Sequence, residues 1–176
     1  LANGADPNQQ DTSGYSALST CASNGDYKGV ELLLRNNALP DIVDHTGWTP
    51  LTRAILSPNP NQYRSESCVK NLVNAGATVD KDLGGYCALL TACATGRVDC
   101  VQVLIEAGAD PLRPWGHYGT AFDATRNDLD LKPDVKEKVL AALSPLLFKQ
   151  VRIMGLTARP DLNFKVGFAG AFDDKK

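Results

Sequence analysis

The sequence predicts an all-α repeat solenoid followed by a C-terminal β-hairpin, and three observations carry that prediction. The first is self-similarity at a fixed period. The segment Asp11-Thr12-Ser13-Gly14-Tyr15-Ser16-Ala17-Leu18 returns as Asp44-His45-Thr46-Gly47-Trp48-Thr49-Pro50-Leu51 and again as Asp82-Leu83-Gly84-Gly85-Tyr86-Cys87-Ala88-Leu89. Leu18, Leu51 and Leu89 stand 33 and 38 positions apart and Phe122 follows 33 later, which is one period interrupted by a five-residue insertion. The second observation is helical apolar spacing kept at the same period in Val30–Ala38, Val69–Ala77 and Val101–Asp110. The third is alternation of apolar with small or polar residues in Val151-Arg152-Ile153 and Val166–Phe172, the pattern of two strands.

Taken in order, residues 1–10 read as the tail of a repeat whose helices are absent. The first complete repeat is therefore expected to present an apolar stacking face for upstream sequence or a partner to cover. Repeats follow at 11–43, 44–81 and 82–114. Each contains a small-residue helix, such as Leu89–Ala94, that lets its neighbours approach closely. A glycine turn comes next (Gly25-Asp26, Gly96-Arg97), and then the more apolar helix. That second helix closes on Asn37, Gly76 or Gly108, residue types that accept the left-handed backbone just past a helix end. The second repeat carries its insertion at Ser57–Ser67, where Pro58, Pro60 and the asparagines favour a surface loop. Residues 115–148 form a degenerate closing repeat. In it Pro133 opens an amphipathic helix with Val135, Val139, Ala142, Leu143, Leu146 and Leu147 on one side and Lys136, Glu137 and Lys138 on the other. Pro145 should end or kink that helix. Residues 149–176 complete the prediction as a hairpin and tail, the strands joined through Arg159–Phe164.

Composition narrows the function. Lysine and arginine number 18 against 20 acidic residues, a net charge of −2, with 43% hydrophobic residues. No basic run leaves the footprint of nucleic-acid binding, and no apolar stretch approaches the roughly 18 residues of a membrane span. Five cysteines at irregular spacing, with no CxxC pair, argue against a disulfide scaffold or a zinc ribbon. They read as small buried apolar residues of an intracellular, reducing compartment, cytoplasmic or organellar. The first residue is Leu1 and no leader pattern follows it, so the chain is expected to be an excerpt of a longer protein.

The motifs Gly47-Trp48-Thr49-Pro50-Leu51, Gly25-Asp26, Gly96-Arg97, Asn3-Gly4-Ala5-Asp6-Pro7-Asn8 and Glu106-Ala107-Gly108-Ala109-Asp110 resemble those of ankyrin-repeat proteins over about residues 1–148. The resemblance implies a hairpin turn plus two antiparallel helices per repeat, stacked into a curved solenoid that binds a protein partner on its concave face. The family's histidine after the Thr-Pro-Leu core is replaced by Thr52, and by Ser19 and Leu90 in the other repeats, from which modest stability is expected. Residues 151–172 resemble the start of a small SH3-like β module, with Phe164 standing where that pattern usually has glycine.

Catalysis needs convergent groups, and the chain offers few. His45 and His117 both fall in turns between repeats, no cysteine or serine stands in a nucleophile context, and no phosphate-cradling glycine pattern is present. The expectation is a non-catalytic interaction module without cofactor, metal or small-molecule substrate. The alternative is a structural subunit docked permanently in a larger multi-protein assembly, and a catalytic domain elsewhere in a longer protein is left open by these residues. For binding, the position after the turn glycine is Tyr15, Trp48 and Tyr86 in successive repeats, one aromatic per repeat. Aromatic residues anchor interfaces, so these three, extended by His45, Trp115, His117 and Tyr118, are the predicted partner contacts.

Overall fold

A computed structural model of the 176-residue chain describes residues 4–59, 61–84, 86–116, 119–127 and 131–153. The chain divides into two units, Leu1–Leu143 and Ser144–Lys176. The first holds three helix pairs, α1 (Ala17–Ser23) with α2 (Tyr27–Arg35), α3 (Pro50–Ile55) with α4 (Gln62–Asn74), and α5 (Ala88–Ala94) with α6 (Val98–Glu106). α7 (Ala121–Asn127) and the start of α8 (Pro133–Ile153) follow. In this unit α1, α3, α5 and α7 pack side by side as one row, and α2, α4 and α6 as a second. This is an α repeat solenoid.

Periodic residues build its core. Leu18, Leu51, Leu89 and Phe122 are all buried, as are Val30, Val69 and Val101, one per repeat in each row. Ser16 caps α1 through the Ser19 amide, Thr49 caps α3 through Thr52, and the Cys87 sulfur takes the same place on α5 through Leu90. The hydroxyls that replace the family histidine turn back on these caps, Ser19 to Ser16 at 3.2 Å and Thr52 to Thr49 at 3.0 Å. Asn37, Gly76 and Gly108 take the left-handed backbone at the predicted helix stops, with φ of 64°, 86° and 92°.

A side-chain ladder joins successive repeats. Asn8 accepts from the Leu39 amide at 2.7 Å, Asp41 from Thr78 at 3.1 Å and Asp80 from Asp110 at 3.2 Å. The corresponding position of the next repeat is Leu112, which has no acceptor to offer, so the ladder stops there.

Three expectations need correction. Val151–Ile153 is the end of α8 and not a strand, and no strand is present among the described residues. The remainder of the predicted hairpin, like most of the SH3-like resemblance, lies outside the described residues. α8 also continues through Pro145. The insertion is half loop and half helix, because Gln62–Ser67 winds onto the start of α4, giving it 13 residues where α2 and α6 have 9. Its loop part is pinned at both sides: Asn59 donates to the Asn24 carbonyl at 3.3 Å and Arg97 to the Ser57 carbonyl at 2.6 Å.

Candidate functional site: a groove on the inner helix row

The turn before each helix of the row α1, α3, α5, α7, the inner row, closes on a backbone hydrogen bond that spans four residues in three of the turns and three in the turn of Tyr86. The Asp11 amide donates to the Tyr15 carbonyl at 2.9 Å, Asp44 to Trp48 at 3.0 Å, Leu83 to Tyr86 at 2.9 Å and Trp115 to Gly119 at 2.9 Å. Tyr15, Trp48 and Tyr86 therefore occupy one register, at the mouth of the row α1, α3, α5, α7. The fourth occupant of that register is Gly119.

Trp115 stands at the start of its turn, in the register of Asp11 and Asp44. It is only 3% exposed and lies under the Arg113 guanidinium, 4.4 Å from the ring centroid. Its ring is part of the packing of the closing repeat and is not brought to the other three aromatics. His117 and Tyr118 lie outside the described residues. His45 is exposed and ties one turn to the next, its amide donating to the Ser13 carbonyl at 3.2 Å. Gly14 has φ +80° and sits so close that a Cβ there would meet the His45 amide nitrogen at 2.6 Å, so glycine is required on two counts.

A buried carboxylate organises the second turn. Asp44 accepts from the Thr46 amide at 2.8 Å, the Thr46 hydroxyl at 2.5 Å, the Trp48 amide at 3.2 Å and Arg53 Nε at 2.7 Å. Burial pushes its carboxyl upward, but the hydrogen bonds from Thr46, Arg53 and Trp48 outweigh that and hold it below the ordinary carboxylate range. The Arg53 guanidinium then lies 4.6 Å from the centroid of the half-buried Tyr15 ring, linking the first turn to the second.

Beyond this network lies a groove of about 490 Å³. Its mouth is formed by Trp48 and Tyr86, with ring centroids 6.1 Å apart and planes inclined at 47°. Leu56 and, from α5, Leu90 and Ala94 make an apolar floor, with Thr91 and Thr95 beside them. Both threonine hydroxyls donate to helix carbonyls, Thr91 to Cys87 at 2.9 Å and Thr95 to Thr91 at 2.7 Å. From α7, Ala124 adds to the floor while Asp123 and Asn127 form a polar rim. Asp123 accepts from the Thr120 amide at 2.8 Å and hydroxyl at 2.7 Å, and these bonds hold its carboxyl below the ordinary range.

The predicted aromatics Trp48 and Tyr86 thus meet in one groove, with Tyr15 held beside it through Arg53. Sequence reasoning missed Asp44 and Arg53, although an aspartate opening the turn in three repeats is visible at Asp11, Asp44 and Asp82. It also missed the floor, whose residues read as ordinary helix core.

All five cysteines are free, and burial pushes the Cys68, Cys93 and Cys100 thiols up to about 12 and Cys87 to about 11, far from the thiolate a nucleophile needs. Among the described residues no cluster of histidine, cysteine and acidic side chains could hold a metal ion. No helix of the described residues is long and apolar enough to cross a membrane.

A stacked repeat with this turn and this helix pair defines a class, and comparison with known proteins gives it a name. Residues 1–63 match a family model for ankyrin repeats in three copies, and residues 84–114 match the single ankyrin repeat. The chain belongs to the ankyrin-repeat family. It is 33% identical over 100 residues to human ankyrin repeat and SOCS box protein 3, a stretch covering 54% of this chain and 18% of that protein. It is 35% identical over 106 residues to the E3 ubiquitin-protein ligase KEG of Arabidopsis thaliana, covering 58% of this chain and 6% of that protein. Human ankyrin repeat domain-containing protein 63 is 29% identical over 134 residues, covering 76% of this chain and 33% of that protein. The chain spans about a fifth of the length of the first of these relatives and a third or less of the others.

Proposed function

We propose that this chain is a non-catalytic protein-interaction module that grips a partner protein through the groove between Trp48, Tyr86 and the inner helices. One observation carries the reading: two partly exposed aromatic rings, set by equivalent turns of adjacent repeats, open onto a groove whose floor is apolar. Apolar surface of this kind with rigid aromatics at its edge is the composition of interface hot spots. The relatives support it in a second way. The repeats recur in a protein named as a ubiquitin ligase, of which the shared stretch is 6%, and in one named only for its repeats. A segment that accompanies such different names fits recognition better than chemistry. Five free thiols fit a reducing intracellular compartment, where the partner would be met.

The test is affinity purification with the intact chain and with Trp48→Ala, read by mass spectrometry. A partner retained by the first and lost by the second, with melting temperatures within a few degrees, is the expected result. The same proteins recovered with both would overturn it. A second reading, a subunit docked in a larger assembly, is favoured by Leu32 and Leu39, which are 59% and 56% exposed. Light scattering on the isolated chain separates the two, since a free module stays monomeric and such a subunit self-associates.

A further inference from the structure

The walls of the groove restrict what can lie in it. Apart from Trp48 and Tyr86, which come from turns and whose carbonyls accept from the Asp44 and Leu83 amides, they are helices or helix ends, and the Leu90 amide in the first turn of α5 is taken by its Cys87 cap. The Thr91 and Thr95 hydroxyls are likewise committed to helix carbonyls. The floor therefore offers methyl groups, rings and leucine side chains, and no row of backbone donors or acceptors. An extended peptide laid there would leave its own amides and carbonyls unpaired against apolar surface, at a cost of roughly 1–3 kcal/mol each. An α-helix satisfies its backbone internally and brings only side chains to the contact. Charge narrows the occupant further. Asp123 on the α7 rim, with Arg126 of the same helix acting on its charge, is the only formally charged side chain among the described residues lining the groove, and Arg53 is already committed to Asp44 and Tyr15.

We infer that the groove receives an amphipathic α-helix of its protein partner, apolar face on Leu90, Ala94 and the Trp48–Tyr86 pair, with a lysine or arginine at the end that meets Asp123. This rests on the proposed function and adds to it the conformation and charge of the partner segment. The mode is helix-in-groove recognition, read through anchors at i, i+3 or i+4, and i+7.

The experiment presents the intact chain to two displayed libraries, one a stable helical scaffold with a randomised face and the other random linear 12-residue peptides. The helical library is expected to enrich apolar residues at helical spacing with a lysine or arginine at one end. Its binders should weaken at least about tenfold on Trp48→Ala or Leu90→Glu. Asp123→Asn, which keeps an acceptor for Thr120, should remove the basic preference while leaving apolar selection intact, with circular dichroism melts confirming the fold of each variant. Binders that depend on Trp48 but come only from the linear library, or that keep their basic preference on Asp123→Asn, would overturn this inference and leave the proposed function standing. Binders indifferent to both Trp48→Ala and Leu90→Glu would overturn the two together.

Discussion

Asp44 organises the Trp48 turn and, through Arg53, its link to Tyr15. Its side chain is fully buried, while that of its partner Arg53 keeps 17% of its surface in water. Removing one member of a buried ion pair strands the other, at a cost of 3–5 kcal/mol or so in dry interiors. Because Arg53 retains some solvent, Asp44→Ala should cost about 3 kcal/mol in urea denaturation, the low end of that range. The same carboxyl sets a pH dependence. Its folded pKa lies below the unfolded value of about 3.9, so its stabilisation is complete well above that value and is lost as pH falls through the lower, folded one. The stability difference between the native chain and Asp44→Asn should thus be largest near neutral pH and shrink below about pH 4 in pH-resolved melts. A difference that stays constant down to pH 2 would remove Asp44 from this role. The sequence displays the aspartate in three successive turns, but no spacing rule shows that the second meets an arginine. That pairing belongs to Arg53, nine residues on and one turn into α3.

At the scale of elements, the period of 33 makes the helix pairs, their glycine and asparagine stops and the aromatic register legible in the amino-acid sequence. The misreadings fall where period is absent. Val151 and Ile153 alternate about Arg152, a three-residue pattern too short to tell a strand from the last turn of a helix that is already under way. Trp115 joins the aromatic stripe by residue type and near-correct spacing, yet the hydrogen bond from its amide to Gly119 sets it four residues out of register. The insertion shows the opposite error. Pro58 and Asn59 do lie in a loop after α3, but the bonds of Asn59 to one inter-helix turn and Arg97 to the loop itself make the segment a strut. A partly buried, charge-assisted hydrogen bond such as that of Arg97 is worth roughly 1.5–3 kcal/mol. Arg97→Ala should therefore cost about 1.5 kcal/mol and raise amide exchange at Ser57 and Asn59 above that of the other inter-helix turns. Unchanged exchange there would show the loop to be held by other contacts.

For the repeat stack as a whole, stability is a sum over neighbours rather than a property of one centre, because each repeat touches only the repeats beside it. Position in the stack should then decide what a core substitution costs. Leu33, Leu72 and Leu104 hold the same place on α2, α4 and α6, yet Leu72 and Leu104 are 0% exposed while Leu33 is half-buried. α4 lies between α2 and α6, so Leu72 has a helix on either side. Leu72→Ala removes a fully buried side chain and leaves a cavity at two interfaces, a change that costs 2–5 kcal/mol or so. Leu33→Ala gives up surface that is already partly hydrated and should cost about half as much or less. Hydrogen exchange extends the contrast from energy to coupling. Leu72→Ala should lower protection in α2 and α6 as well as α4, because both interfaces of the middle repeat weaken together, whereas Leu33→Ala should lower it in the first helix pair alone. Equal denaturation midpoints for the two variants would show that position in the stack does not decide the cost, and loss of protection spread evenly over all repeats in both would mean that these helices unfold as one cooperative body. Recognition at the Trp48–Tyr86 groove, built from the second and third repeats with α7, would then be exposed to substitutions anywhere in the stack.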